Sequence, residues 1–332
     1  MIDYNILTAA EKTKDLSLDY IDLWKNSDTS IKQSTSGSTG RPKVITIPKW
    51  KMEASARLTG SFFDLANCSN SLICISPAFI GGKMMLVRSL LYNLTMTFAP
   101  ITSNPIKDLD HPIDFAAMVP LQVSTILREN PEKLNYIKYL IIGGAPTSNE
   151  LAANLRKTSV QAFATFGMTE TVSHIALQDL REINAPFQGL GDTLFSTKED
   201  CLVINNVALQ LDNLVTNDCV ELLNDKHFHW LGRKDFVINS GGIKLHPEKL
   251  EAKIKSLLPS SSYFFSSQPD ELLGEQLILI IEGKENRINP TVLKKKLSNI
   301  ELPKQVYTLA SFSYTESGKL DRRKTQKMLS LG

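Results

Sequence analysis

Four short apolar runs between residues 71 and 166 constrain the fold more than any other feature of the chain. They are "SLICIS" (71–76), "DFAAMV" (114–119), "YIKYLIIGG" (136–144) and "VQAFATF" (160–166). Runs of this length and character read as buried strands. Helical patterns lie between them: Val123, Ile126 and Leu127 follow Pro120, and Leu151 and Leu155 follow Ser148. Strand and helix alternating in this way predict an α/β layer with a mostly parallel sheet.

From about residue 200 the pattern changes. "CLVINN", "LQLDNLVTND", "CVELLND" and "HFHWLGR" are strand-like pieces separated by Asn/Asp turns, which predicts an antiparallel section. A small α/β unit is expected past Arg233. Pro247 suits a first helical turn, with Leu250, Ile254, Leu257 and Leu258 as one stripe. "QLILIIEG" (276–283) reads as a strand. Asn289-Pro290 is expected to open another helix, with Leu293, Leu297 and Ile300 on one face. The expected division is 1–233, a large domain of layered sheets and helices, and 234–332, a small α/β domain.

A net charge of +2 gives no electrostatic case for nucleic acid or for an anionic membrane surface. Cys68, Cys74, Cys201 and Cys219 form no C-x-x-C pair and read as buried thiols of a reducing, cytoplasmic compartment. The first residues carry no signal-peptide pattern, and the apolar region 71–99 is too interrupted by Pro77, Gly81, Gly82, Lys83 and Arg88 to span a membrane.

The stretch "STSGSTGRPK" (34–43) suits an anion. Gly37 and Gly40 let backbone N–H groups converge, Ser34, Thr35, Ser36, Ser38 and Thr39 add hydroxyls, and Arg41 and Lys43 add charge. A polyphosphate fits that chemistry; a solvated Ser/Gly turn fits the composition equally well. A Walker A loop is excluded, because Gly40 is followed by Arg41-Pro42-Lys43 rather than Lys-Ser/Thr.

Six segments, in order, resemble those of the adenylate-forming acyl/aryl-CoA synthetases. They are "STSGSTGRPK" (34–43), "IIGGAP" (141–146), "FGMTE" (166–170), "TND" (216–218), "GRKDFVINSGGIKLHPEKLE" (232–251) and "SGKLDR" (317–322). The resemblance covers nearly the whole chain and implies a small C-terminal domain that moves during the reaction. Only 33 residues precede the phosphate segment, far fewer than is usual in the family. In this the chain is similar to compact members, the o-succinylbenzoate–CoA ligases of menaquinone biosynthesis, and "AFIGGKMMLVRSL" (78–90) looks more like those than like general fatty acyl enzymes.

The resemblance implies ATP, Mg²⁺ and coenzyme A, with a small carboxylic acid as the other substrate. Thr35, Ser36, Gly37, Ser38, Thr39, Gly40 and Lys43 would hold the β- and γ-phosphates. Gly144 and Ala145 would flank adenine and Phe166, followed by Gly167, would stack on it. Thr169 would contact the α-phosphate or the acyl carboxylate, and Glu170 would help hold Mg²⁺. Taken alone, Glu170 also reads as an acid at a helix start. Asp218 and Arg233 would hold the ribose. Lys319 would be the adenylation lysine, Asp235 the hinge, and Gly241, Gly242 and Lys244 would line the route taken by CoA.

Lys83, Arg88 and Phe79 bear on the acid. Five residues on a helix rotate by roughly 140°, so Lys83 and Arg88 would not share a face. Arg88 suits a second, non-reacting carboxylate through its planar fork; both side chains snorkelling to solvent is the competing reading. Phe79 stands near where the family often has histidine. His227 and His229 alternate with Phe228 and Trp230, and without a third ligand they read as ordinary strand histidines. Ligation of another acid, loading of a carrier protein, and a non-catalytic nucleotide-binding relative remain open on the sequence.

Overall fold

The structure is a computed structural model. It describes residues 3–34, 44–258, 262–283, 288, 290–314 and 320–329. In chain order the first half contains β1 (Tyr4–Ile6), α1 (Glu11–Lys25), β2 (Ser30–Ser34), β3 (Val44–Pro48), α2 (Lys49–Phe63), β4 (Asn70–Ile73), α3 (Ile80–Leu91), β5 (Thr95–Phe98), β6 (Ile113–Met118), α4 (Pro120–Glu129), β7 (Ile137–Ile142), α5 (Asn149–Leu155) and β8 (Gln161–Gly167). Strands β1, β5, β4, β6, β7 and β8 lie side by side and parallel. The four apolar runs are therefore central strands covered on both faces. Successive side chains of a strand point to opposite sides. Ile73, Phe115, Ile141 and Phe163 pack with Met52 and Phe63 of α2 and Met84 and Val87 of α3. Leu72, Ala116, Leu140 and Ala162 pack on the other side with Val123 and Ile126 of α4 and Leu151 and Leu155 of α5. Helix starts follow local chemistry: Ser148 Oγ accepts from the Leu151 N–H at 3.1 Å, and Pro120 opens α4.

The next strands are β9 (His174–Asp179), β10 (Phe187–Gly189), β11 (Leu194–Lys198), β12 (Cys201–Asn206), β13 (Leu211–Leu222) and β14 (His227–Arg233). They extend the same sheet in the antiparallel sense, giving 12 strands in the order β1-β5-β4-β6-β7-β8-β9-β10-β14-β13-β12-β11. The sheet is parallel over the stretch where strand and helix alternate, as expected, and its antiparallel part begins at His174, earlier than the change of pattern near residue 200. One correction concerns "LQLDNLVTND" and "CVELLND". They form one strand, β13, because register shifts against β12 and β14 absorb its turn-forming residues.

The remaining elements are β15 (Ile238–Ser240), β16 (Ile243–Leu245), α6 (Pro247–Ile254), β17 (Tyr263–Asp270), β18 (Gly274–Glu282), α7 (Pro290–Leu293), β19 (Gln305–Leu309) and α8 (Arg322–Leu329). The five strands make a sheet of their own. Ile238, Leu250, Ile254, Phe265, Leu279 and Leu293 form its core on one side. The helix expected through Ile300 stops at Leu293. Ser298 and Glu301 cap a new single turn, Asn299–Glu301, which leaves Ile300 exposed.

All four cysteines are free; Cys74, Cys201 and Cys219 are buried, but Cys68 is only half-buried, which corrects the expectation for that one. No helix among the described residues is long and apolar enough to cross a membrane.

Candidate active site

The C-terminal ends of parallel strands are where open α/β sheets bind ligands. Several expected site residues gather there. At the end of β7, Gly144 has φ +86°, a left-handed conformation that favours glycine, and Gly144 and Ala145 are exposed. Next to it, β8 ends in Phe166 and Gly167. The Phe166 ring is half-buried, edge-on to Phe228 with centroids 5.1 Å apart. Gly167 is required by packing: a Cβ there would sit 2.3 Å from the Ser173 carbonyl oxygen. Thr169 and Glu170 follow in an exposed turn, not at a helix start. The turn is closed by Thr171, whose hydroxyl bonds Met168 and Ser173. Val172 sits in it at φ +66°, a strained conformation for a β-branched residue and one often found at functional sites.

The expected phosphate-binding residues Thr35, Ser36, Gly37, Ser38, Thr39, Gly40 and Lys43 lie outside the described residues. Ser34 pairs with Val44 in the β2–β3 ladder, so the two ends of that stretch are adjacent. Lys319 also lies outside them, between Tyr314 and Leu320, which form a β-bridge.

Asp218 and Arg233 stand opposite each other on β13 and β14. Asp218 is buried; its Oδ2 is 3.7 Å from Arg233 Nη1, and its Oδ1 accepts from Trp230 Nε1 at 2.9 Å. Asn217 Nδ2 donates to Asp235 Oδ2 at 2.5 Å, which ties the expected hinge residue to β13. Asp235 lies in a single turn, Lys234–Phe236, between the two sheets. Gly241 and Gly242, at φ +58° and +83°, form the two-residue turn of the β15–β16 hairpin. Lys244 Nζ reaches across to Asp200 Oδ2 at 2.5 Å, and Lys234 reaches Glu199 at 2.7 Å. The Lys244 ammonium holds the Asp200 carboxyl below the usual carboxylate range.

Lys83 and Arg88 are both buried on α3, so neither snorkels to solvent. They point to different places. Lys83 Nζ donates to Gln33 Oε1 at 2.6 Å and lies 5.9 Å from the Tyr20 ring centre. Arg88 Nη2 donates to Ser173 Oγ at 3.0 Å. Its Nε is buried and has no partner among the described residues. Burial pushes the Arg88 guanidinium down to about 9. His174, beside Ser173, is buried with Nε2 3.0 Å from Thr59 Oγ1; burial, and then the Arg88 charge, hold it well below the usual histidine range. Phe79 caps α3 and is 64% exposed. Trp230, Thr59, Ser173 and His174 touch expected site residues, or one another, and were not singled out from the sequence. The strand alternation around Trp230 was the one local signal available; the others come together only in the fold.

The family model for AMP-binding enzyme matches residues 3–194. This chain belongs to the AMP-binding enzymes. A solved structure of an acyl-CoA synthetase (AMP-forming)/AMP-acid ligase II-like protein from Dyadobacter fermentans is 32% identical, covers 96% of this chain and 94% of its own, and superposes with a TM-score of 0.62. The 2-succinylbenzoate–CoA ligase of Listeria monocytogenes is 21% identical, covering 92% of this chain and 72% of the ligase. The O-succinylbenzoate coenzyme A synthetase of Bacillus subtilis, solved with ATP and magnesium ion, shares the fold at TM-score 0.77, with 19% identity over 89% of this chain and 69% of that one. This AMP-binding enzyme is an AMP-forming acyl-CoA ligase.

The Glu170 carboxylate suits Mg²⁺. It is exposed, takes no hydrogen bond from a described residue, and is a hard oxygen donor next to the strand ends. Lys51 of α2 is the described cation on which its charge acts. Among the described residues there is no group of three or more His, Cys, Asp or Glu that could hold a metal ion. His227 Nδ1 lies 3.0 Å from Asn224 Oδ1, an ordinary contact for a strand histidine.

Proposed function

We propose that this AMP-forming ligase converts o-succinylbenzoate to its CoA thioester through an acyl-AMP intermediate, a step of menaquinone biosynthesis. The observation that carries the choice of acid is Arg88. Burying a guanidinium is costly unless a counter-charge meets it. Among the described residues no carboxylate pairs with Arg88, and its Nε donor is unused. A substrate with a second carboxylate supplies the missing partner. The names of the succinylbenzoate ligase relatives support this choice.

In the first half-reaction the acid's carboxylate oxygen attacks the α-phosphorus of ATP and pyrophosphate leaves. In the second, the CoA sulfur attacks the acyl carbon and AMP leaves. Both steps ask the protein for positioning and charge stabilisation. Gly144, Ala145 and Phe166 hold adenine, Asp218 and Arg233 hold the ribose, and the segment from Thr35 to Lys43 holds the phosphates. Mg²⁺, when bound at Glu170, supplies positive charge to phosphate oxygens. Thr169 and Lys319 orient the acyl carboxylate and the α-phosphate. The unit from residue 234 onward then turns about Asp235, withdraws Lys319, and brings Gly241, Gly242 and Lys244 toward the pantetheine arm. That turn requires Lys244 to leave Asp200.

The test is pyrophosphate release with ATP, Mg²⁺ and CoA across o-succinylbenzoate, benzoate, acetate, a medium-chain fatty acid and an amino acid. A strong preference for o-succinylbenzoate with thioester formed is expected. Turnover of a monocarboxylate instead would keep the ligase chemistry and discard this acid.

A further inference from the structure

We propose that His174, held as its Nε2–H tautomer, is a positioning residue that fixes the Arg88 guanidinium through Ser173 and so sets the selectivity of the acid site. The proposal rests on the reading of Arg88 as the contact for a second carboxylate.

The argument begins with hydroxyl protons. Arg88 Nη2 can only donate, so Ser173 Oγ accepts from it at 3.0 Å. The Ser173 hydroxyl then has one proton to give, and the neighbouring acceptor is His174 Nδ1 at 3.4 Å. At the other end, the Thr59 hydroxyl donates to the Ser55 carbonyl at 3.3 Å, one turn back along α2. Its oxygen is then free to accept from His174 Nε2 at 3.0 Å. The chain runs in one direction: Arg88 to Ser173, Ser173 to His174, His174 to Thr59, Thr59 to Ser55. The Ser173 and Thr59 hydroxyl protons each have an acceptor, while the buried Ser55 hydroxyl has no partner among the described residues. The opposite tautomer makes Nδ1 a donor, and the Ser173 hydroxyl proton is left without an acceptor among the described residues. Which ring nitrogen carries the proton decides whether the chain closes.

The elements around this chain hold it rigidly. Thr59 belongs to α2, Arg88 to α3 and His174 to the start of β9, with Ser173 just before it. The β8–β9 approach is set by Gly167, since a Cβ there would meet the Ser173 carbonyl oxygen at 2.3 Å and His174 Cα at 2.7 Å. Thr59, Arg88 and His174 are each buried. Around the imidazole, α2 presents Thr59 and Ser55, α3 presents Arg88, and the turn before β9 presents Ser173; Arg88 is the charged group that acts on it. A contact whose supporting groups are buried and joined by a directed hydrogen-bond chain is held in one geometry. Here the supported group is the guanidinium, and its unpartnered Nε is the donor the chain leaves for a ligand.

Two experiments decide it. Long-range ¹H–¹⁵N correlation spectra of the wild-type imidazoles are expected to show His174 neutral and protonated at Nε2 between about pH 5.5 and 8. An Nδ1–H tautomer or an imidazolium in that range overturns the proposal, and no variant has to fold for this reading. The second is steady-state kinetics of His174→Leu and His174→Asn. His174→Leu is expected to raise KM for o-succinylbenzoate by roughly tenfold, with KM for ATP and for benzoate unchanged. His174→Asn, whose Oδ1 keeps an acceptor for Ser173, is expected to restore most of the loss. A wild-type enzyme with no preference for the dicarboxylate removes the Arg88 reading and the proposal with it. A wild-type preference that His174→Leu retains overturns the proposal alone.

Discussion

Asp218 shares its two carboxylate oxygens between different partners: Oδ1 accepts from Trp230 Nε1 at 2.9 Å, while Oδ2 lies 3.7 Å from the Arg233 guanidinium. The indole contact fixes the carboxylate's orientation, and the looser contact leaves acceptor capacity for a sugar hydroxyl. Asp218→Asn keeps an oxygen for Trp230 but removes the charge. It is expected to retain stability while weakening ATP binding by roughly tenfold or more. Asp218→Ala is expected to weaken ATP binding and also to cost about 1 kcal/mol of folding stability, because the half-buried Trp230 indole N–H loses its acceptor. Calorimetric ATP titration and urea unfolding separate the two effects. An Asn variant with wild-type ATP affinity would refute the ribose role.

Gly167 and Gly242 offer a contrast between space and backbone conformation. At Gly167 the atoms met by a new Cβ are backbone, at 2.3 and 2.7 Å, and they cannot move aside. At Gly242 nothing lies within 4 Å, but φ is +83°. Gly242→Ala is therefore expected to cost about 1 kcal/mol in conformational strain alone. Gly167→Ala is expected to cost about 1–3 kcal/mol, in the range of overpacking, and to displace the Thr169–Glu170 turn. Pyrophosphate release should fall in the Gly167 variant and hold in the Gly242 variant. Urea unfolding checks the stability order, which equal losses would contradict.

The parallel half of the sheet was legible in the sequence because its strands are covered on both faces, which writes burial into short continuous apolar runs. The antiparallel half was legible only in kind. Asn213 and Asn217 break up the apolar pattern of β13, and nothing local reports that bulges carry the strand through them. The helix beyond Pro290 misled for a related reason: Leu293 and Leu297 are both buried, so the apolar spacing is genuine, yet Ser298 and Glu301 start a separate capped turn. At the site, the strand-end residues were legible through motif order. The partners of Arg88 were not, since Ser173 lies 85 residues away and Thr59 and His174 are joined only by the packing of α2 on β9.

Lys319 separates the two half-reactions. If it acts only while acyl-AMP forms, Lys319→Ala should lose about 10²–10³ in carboxylate-dependent pyrophosphate release, the scale of one transition-state contact. Conversion of supplied acyl-AMP to thioester should be retained. Equal loss of both half-reactions would count against the assignment.

Arg88→Ala is expected to raise KM for o-succinylbenzoate far more than KM for ATP, by roughly 10²-fold, since a bidentate charged contact is lost from a buried site. The variant should fold, because removing a buried cation that has no carboxylate partner among the described residues also removes its desolvation cost. Steady-state kinetics with both substrates varied gives the answer; an unchanged KM for the acid would detach Arg88 from the pocket.

Cys74 predicts a loss of stability in base. Its thiol is buried between β4 and β6, donates to the Ala117 carbonyl at 3.3 Å, and is pushed up to about 12 by burial. In the unfolded chain a thiol ionises near ~8.5. Below that value both states keep the proton, and the thiol adds no pH dependence. As pH rises from there toward about 12, the unfolded chain sheds a proton that the folded chain retains, so stability falls. Cys219, pushed up to about 11 by burial, adds to the same slope. Urea unfolding at pH 8 and at about pH 10.5 should show the midpoint dropping in the wild type and dropping less in Cys74→Ala. The same drop in both proteins would mean that the Cys74 thiol is not what titrates.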